Sequence, residues 1–156
     1  MKNSILIIFL LLTTSVFSQN CKYEVNGVDK FTGKMTKETI KKKFIQTFNS
    51  EGYAALQKAD TTYALILSYR TSFAGKVTVN EGAELSFLLE DGKIITLKKT
   101  TGNYGVTSNQ LKILMMVKTK TLRYYFTDQG GNYKNEDIEI KSSNAETFTD
   151  LIKCVL

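Results

Sequence analysis

The chain has 156 residues, 42% of them apolar and 23% charged, with 9 Phe and 8 Tyr: enough to bury one apolar core and the length of a single domain. Lys and Arg outnumber Asp and Glu by 21 to 15, and the absence of low-complexity stretches excludes a disordered polyelectrolyte. There is no histidine, which removes every Ser-His, Cys-His and His-metal arrangement at once.

At the start, Lys2 supplies a positive n-region, Ile5 to Leu12 an unbroken apolar run, and Val16-Phe17-Ser18 a small-residue cleavage pattern. The reading is a cleaved signal peptide over residues 1–18, with Gln19 as the new N-terminus and a single β-rich domain over 19–156. The apolar run is eight residues before Thr13 and Thr14 interrupt it, whereas a spanning helix needs about 20, so no transmembrane segment is expected in the mature chain. Removing those 18 residues from 156 leaves 138. Lys2 is the only charge lost, so 20 basic residues face 15 acidic ones. Asn20 and Ser18 occupy the positions where a lipidation signal at Cys21 needs a small residue and Leu.

The destination is periplasmic or extracellular, and in an oxidising compartment two isolated cysteines are expected to bond to each other. Cys21 and Cys154 then form one disulfide joining the two ends of the mature domain. They lack the C-x-x-C spacing of a redox-active pair.

Along the mature chain, Tyr23, Val25, Val28 and Phe31, broken by Asn26-Gly27 and Gly33, predict a short strand, a turn and a second extended segment at a sheet edge. Residues 36–48 fit either period: Ile40, Phe44, Ile45 and Phe48 make one helical face, and an extended reading is preferred. Tyr53 to Lys58 reads as a short irregular or helical link. Strand-length runs follow at Tyr63 to Leu67, Val77 to Val79, Leu85 to Leu89 and Ile94 to Leu97, an antiparallel meander. Asp91-Gly92 is the strongest hairpin signal, since both central positions of a type I′ turn need positive φ. Thr107 or Ser108 caps a short helix through Leu111, Leu114 and Met115, although Leu111 to Val117 equally fits a buried strand, and the helix is preferred. Thr121 to Phe126 and Ile138 to Ile140, joined across Gln129 to Asn132, form a second hairpin. Ser143 with Glu146 predicts a capping box opening a C-terminal helix, whose face carries Phe148, Leu151, Ile152 and Val155. The fold class is α+β: a mostly antiparallel curved sheet or incomplete barrel of about seven strands, with the C-terminal helix packed on it.

Catalytic chemistry is not indicated, and no catalytic, cofactor-binding or metal-binding residue is assigned. Gly27 to Lys34 departs from a phosphate loop in its glycine spacing and in having Met35 where Ser or Thr would hold magnesium. Asp128 to Glu139 lacks a ligand at Gly130 and the turn glycine at Tyr133 of a calcium loop, and reads as a hairpin tip. Glu90-Asp91 and Glu136-Asp137 serve a carboxylate hydrolase only if folding brings two acids together. The basic surplus is the positive lead. Lys34, Lys37, Lys41, Lys42 and Lys43 make one cluster and Lys118, Lys120 and Arg123 another; from them Lys37, Lys41, Lys42, Lys43, Lys118, Lys120 and Arg123 are the candidates for a polyanion-binding surface facing an anionic glycan or lipid. With Arg at only two of the 21 basic positions, specific nucleic-acid binding is not expected. The function this supports is an exported, non-catalytic binding or structural module of unknown ligand. A small carboxylate-based hydrolase and a weak polyanion-binding surface protein are the alternatives.

The stretch Cys21-Lys22-Tyr23-Glu24-Val25-Asn26-Gly27-Val28-Asp29-Lys30-Phe31-Thr32-Gly33 resembles the C-x-Y-E-x-N-x-x-D-x-F-T-G opening of a family of small exported proteins of Bacteroidetes type. Phe148 to Cys154 is similar to that family's closing aromatic-x-x-x-L-K-C pattern with one inserted residue, and Phe87 to Lys93 to its F-x-F/L-E-D-G hairpin. The resemblance spans nearly the whole mature domain. It implies an end-to-end disulfide, an extended segment over 36–48 and a helix near 108–116, and it supplies no function. Gly27 stands where the family has a second acidic residue.

Overall fold

The structure is a computed structural model and describes residues 21–30, 32–48, 50–71, 75–76, 82–127 and 131–156. The signal segment, the Val77 to Val79 run, the Asp128 end of the calcium-like loop and Gln129 and Gly130 of the second hairpin turn lie outside the described residues.

Eleven strands and two helices occur among the described residues, where about seven strands are expected from sequence. The strands are β1 (Tyr23–Val28), β2 (Met35–Thr39), β3 (Lys42–Gln46), β4 (Ser50–Ala59), β5 (Thr62–Thr71), β6 (Gly75–Lys76), β7 (Glu84–Leu89), β8 (Ile94–Thr100), β9 (Asn103–Val106), β10 (Thr119–Thr127) and β11 (Tyr133–Glu139). Helix α1 spans Ser108–Met116 and α2 spans Ser142–Val155. All strand pairs are antiparallel, in the order β1-β2-β4-β5-β9-β8-β7-β10-β11, with β3 on β4 and β6 on β5. The path is open, with β1 and β11 at its edges.

The sheet curls strongly. Four strands separate β3 from β7 along the path, yet the rings of Phe44 and Phe87 are 6.3 Å apart. Phe148 from α2 stacks against both, at 4.5 and 5.8 Å, so the C-terminal helix plugs the concave side. Each such buried ring contributes roughly 1.5–3 kcal/mol of hydrophobic stabilisation. The face that docks is the one the sequence marks: Phe148, Leu151, Ile152 and Val155 are all buried.

Residues 36–48 are extended, forming β2 and β3. Tyr53 to Lys58 is neither irregular nor helical: it lies inside β4, which pairs with β5 over ten consecutive positions. The partner on each side overrides the weak alternation of Ala54-Ala55-Leu56. Gly52 admits the close passage of β3, since a Cβ there would sit 2.9 Å from Ile45 Cδ1.

Two caps and turns differ in detail from expectation. The N-cap of α2 is Lys141, with no side-chain cap bond; Ser143 lies within the helix, and Glu146 reaches Lys118 at 2.8 Å instead of closing a capping box. The box is found at α1, where the Thr107 hydroxyl accepts from the Gln110 amide and Gln110 Oε1 accepts from Thr107 N–H. At the β7–β8 turn only Gly92 has positive φ, at 84°, and its N–H bonds to the Leu89 carbonyl. That is a three-residue loop ending in a left-handed glycine, not the two-residue type I′ turn, because Leu89 N–H pairs with Lys93 across it.

Candidate functional site

Cys21 and Cys154 are bonded, with Cα atoms 5.6 Å apart, closing the predicted link between β1 and α2. Tyr23 reinforces it by donating its hydroxyl proton to the Cys154 carbonyl at 2.8 Å.

The seven basic candidates come from two parts of the sheet path. Lys37 on β2 sits directly opposite Lys58 on β4, Lys41 is in the link after β2, and Lys42 and Lys43 are on β3. Five strands lie between β2 and β10, which carries Lys120 and Arg123, with Lys118 just before it. Three of the seven are matched by acids: Lys43 with Glu51 at 3.5 Å, Lys118 with Glu146 at 2.8 Å, and Arg123 with both Asp137 oxygens at 2.6 Å. Hydrogen bonding to these carboxylates raises the Lys118 and Arg123 pKa values and lowers those of Glu146 and Asp137. Lys42 and Lys22 border a groove of about 270 Å³ beside the disulfide, together with Asp150, whose carboxylate pairs with Lys153 at 3.0 Å.

Of the two acid pairs considered for a hydrolase, Glu136-Asp137 diverges. Successive residues of a strand face opposite ways. Glu136 accordingly points inward, where it accepts the Tyr69 hydroxyl at 2.5 Å, and Asp137 points outward to Arg123. Asp91 is held by Lys93 at 2.8 Å, which lowers its pKa. No group of three or more His, Cys, Asp or Glu that could hold a metal ion occurs among the described residues.

A concave site does form, from residues carrying no individual chemical signature. On the face opposite the core row Leu56–Leu65–Tyr104, the register of β4, β5 and β9 aligns Gln57, Ala64 and Gly105. Ala59 pairs with Thr62 one step further along. The small side chains of Ala59 and Ala64 and the bare backbone of Gly105 make a floor. The two hairpin turns and the start of α1 supply walls: Thr61 from one, Thr100, Thr101 and Asn103 from the other, then Thr107 and Ser108. The result is a trough of about 610 Å³, within the roughly 300–1,000 Å³ of small-molecule sites. Tyr63 and Val106, whose register puts them with the core-facing rows, also border it.

The hydrogen-bonding state of this lining is partly fixed. Thr62 donates its hydroxyl proton to the Ala59 carbonyl at 2.7 Å, leaving lone pairs outward. Gln57 donates from Nε2 to Glu38 at 3.2 Å, which orients its carboxamide. At the rim, Thr101 adopts φ 45°, a left-handed conformation that is costly for a β-branched residue. None of the trough was legible as a site. The available signal is the uncharged run from Thr100 to Leu111 between Lys99 and Lys112, unusual in a chain with 23% charged residues.

Comparison with family models, with curated proteins and with solved structures finds no match for this chain.

Proposed function

We propose that this chain is an exported, non-catalytic binding module that takes its ligand in the β4–β5–β9 trough. The observation that carries the reading is the lining itself: a concavity of ligand size on paired strands, bordered by hydroxyl and carboxamide groups, with no Asp, Glu, Lys or Arg among its lining residues. Acid–base catalysis needs a titratable group within hydrogen-bonding reach of substrate; the lining has no Asp, Glu, Lys or Arg to supply it, and its one phenol, Tyr63, belongs to the core-facing row. The signal-like N-terminus and the Cys21–Cys154 bond support export, as does the resemblance to small exported proteins of Bacteroidetes type.

The test is native mass spectrometry of the purified mature protein incubated separately with neutral oligosaccharide, peptide and lipid pools. A non-covalent adduct is expected that is released unaltered and is lost in Gly105→Trp, which fills the trough floor. Cleavage of any pool, or adducts insensitive to Gly105→Trp, would overturn the reading.

A further inference from the structure

We infer that the trough ligand is a neutral carbohydrate; the inference rests on the binding reading above and narrows it to one chemical class. Three observations converge. First, charge is missing where it is abundant elsewhere: none of the thirteen lining residues is Asp, Glu, Lys or Arg, although 23% of the chain is. A site for an anionic glycan, phosphate or acidic peptide is ordinarily built with Lys or Arg, and this chain has 21 of them to place. The neighbouring Lys58 is on the other side of the sheet, opposite Tyr63, with Nζ 5.2 Å from that ring's centroid.

Second, the lining mixes donors and acceptors. Thr62 offers acceptor lone pairs, Asn103 a carboxamide with both functions, and Thr61 and Thr100 hydroxyls that rotate to either role. Sugar hydroxyls likewise donate and accept, and pair with such a surface without leaving a charge to neutralise. A lipid chain would leave these groups unpaired, at a cost in affinity.

Third, the floor is flat and apolar at its centre. Ala64 and Gly105 stand side by side on adjacent strands, and an added Cβ on Gly105 would meet only Thr100 Oγ1, at 3.8 Å. The C–H face of a pyranose ring can rest there while its equatorial hydroxyls reach the polar walls. Gly105 is exposed and outside the left-handed region, so its side-chain-free state serves space above the sheet and is not forced by backbone geometry.

The experiment is an amide-resolved NMR titration of the mature, oxidised protein with maltotriose, cellotriose, xylotriose and chitotriose, each to about 10 mM, and with a heparin-derived tetrasaccharide. At least one neutral trisaccharide is expected to shift the amides of Thr62, Ala64, Asn103 and Gly105. Gly105→Trp is expected to weaken that binding by about tenfold or more, and Gly105→Ala by much less, with both spectra remaining folded. No shift in these amides with any neutral trisaccharide overturns the inference, as does stronger binding of the heparin fragment at the trough. If the sugars are silent but a peptide or lipid adduct is lost in Gly105→Trp, the binding reading stands and the carbohydrate assignment falls. Silence in both experiments removes both.

Discussion

The hydroxyl of Tyr23 on the first strand donates to the backbone carbonyl of Cys154 in the last helix, at 2.8 Å, beside the disulfide that joins the same two elements. The covalent bond spans 133 positions, and chain-entropy accounting assigns such a loop about 5 kcal/mol. Cys21→Ser with Cys154→Ser is expected to lower unfolding free energy by up to that amount, and Tyr23→Phe by about 1 kcal/mol. Urea denaturation of the oxidised protein and both variants measures the ratio. A Tyr23→Phe loss as large as the double Ser variant's would show that the hydrogen bond, not the cross-link, holds α2 to β1.

Inside the curled sheet, three phenols sit close together with unequal partners. Tyr69 and Tyr124 meet edge to face at 4.7 Å, and Tyr69 bonds to Glu136, while the buried Tyr104 hydroxyl has no hydrogen-bond partner. Tyr69→Phe is expected to cost about 1–3 kcal/mol by stranding Glu136. Tyr104→Phe is expected to be neutral or stabilising by about 1 kcal/mol, because it deletes an unsatisfied polar group. Thermal melts of the two variants should move in opposite directions; equal losses would contradict the assignment.

The same phenols set an alkaline limit. Burial pushes Tyr104 up to about 12, and burial raises Tyr69 and Tyr124 further, Tyr69 with help from its bond to Glu136. The unfolded chain loses these protons near pH 10 and the folded chain holds them. Because the folded values are raised, the stabilisation is complete below about pH 10 and is lost as pH climbs through about 12. Melting temperature is therefore expected to fall steeply above pH 10, and less steeply in Tyr104→Phe. A flat profile from pH 10 to pH 12 would refute the burial of these groups.

Two glycines in paired strands separate packing from tolerance. Gly52→Ala forces a Cβ against Ile45 and is expected to cost about 1–3 kcal/mol. Gly105→Ala enters open space and should stay within about 0.5 kcal/mol of the parent. Chemical denaturation of both variants decides it: equal effects would mean that Gly105 is a packing residue and not a trough floor.

The elements with their own periodicity were legible. Leu122, Tyr124 and Phe126 alternate with Arg123 and Tyr125, and the i, i+3, i+4 face of α2 docks as written in the sequence. β4 was not, because Ala54-Ala55-Leu56 is buried on both sides and carries no alternation; its strand state comes from β5 and β3. Ser143 and Glu146 have the right spacing for a box, but the helix begins two residues earlier, with Lys141 as its N-cap, and Glu146 bonds to Lys118 and to the Ser142 hydroxyl, a long-range partner invisible locally. The trough was hidden for a related reason. Ala59, Ala64 and Gly105 matter there for being small, and only the register across three strands puts them side by side.

The placement of Cys21 and Cys154 also fixes how the domain answers to force. A pull applied to the chain before Cys21 and after Cys154 passes straight through the sulfur bridge, so none of the strands between them bears the load. While oxidised, the sheet and its trough are mechanically bypassed and keep their shape under tension. Once reduced, the same pull would peel the edge strand β1 from β2 and draw α2 off Phe44 and Phe87.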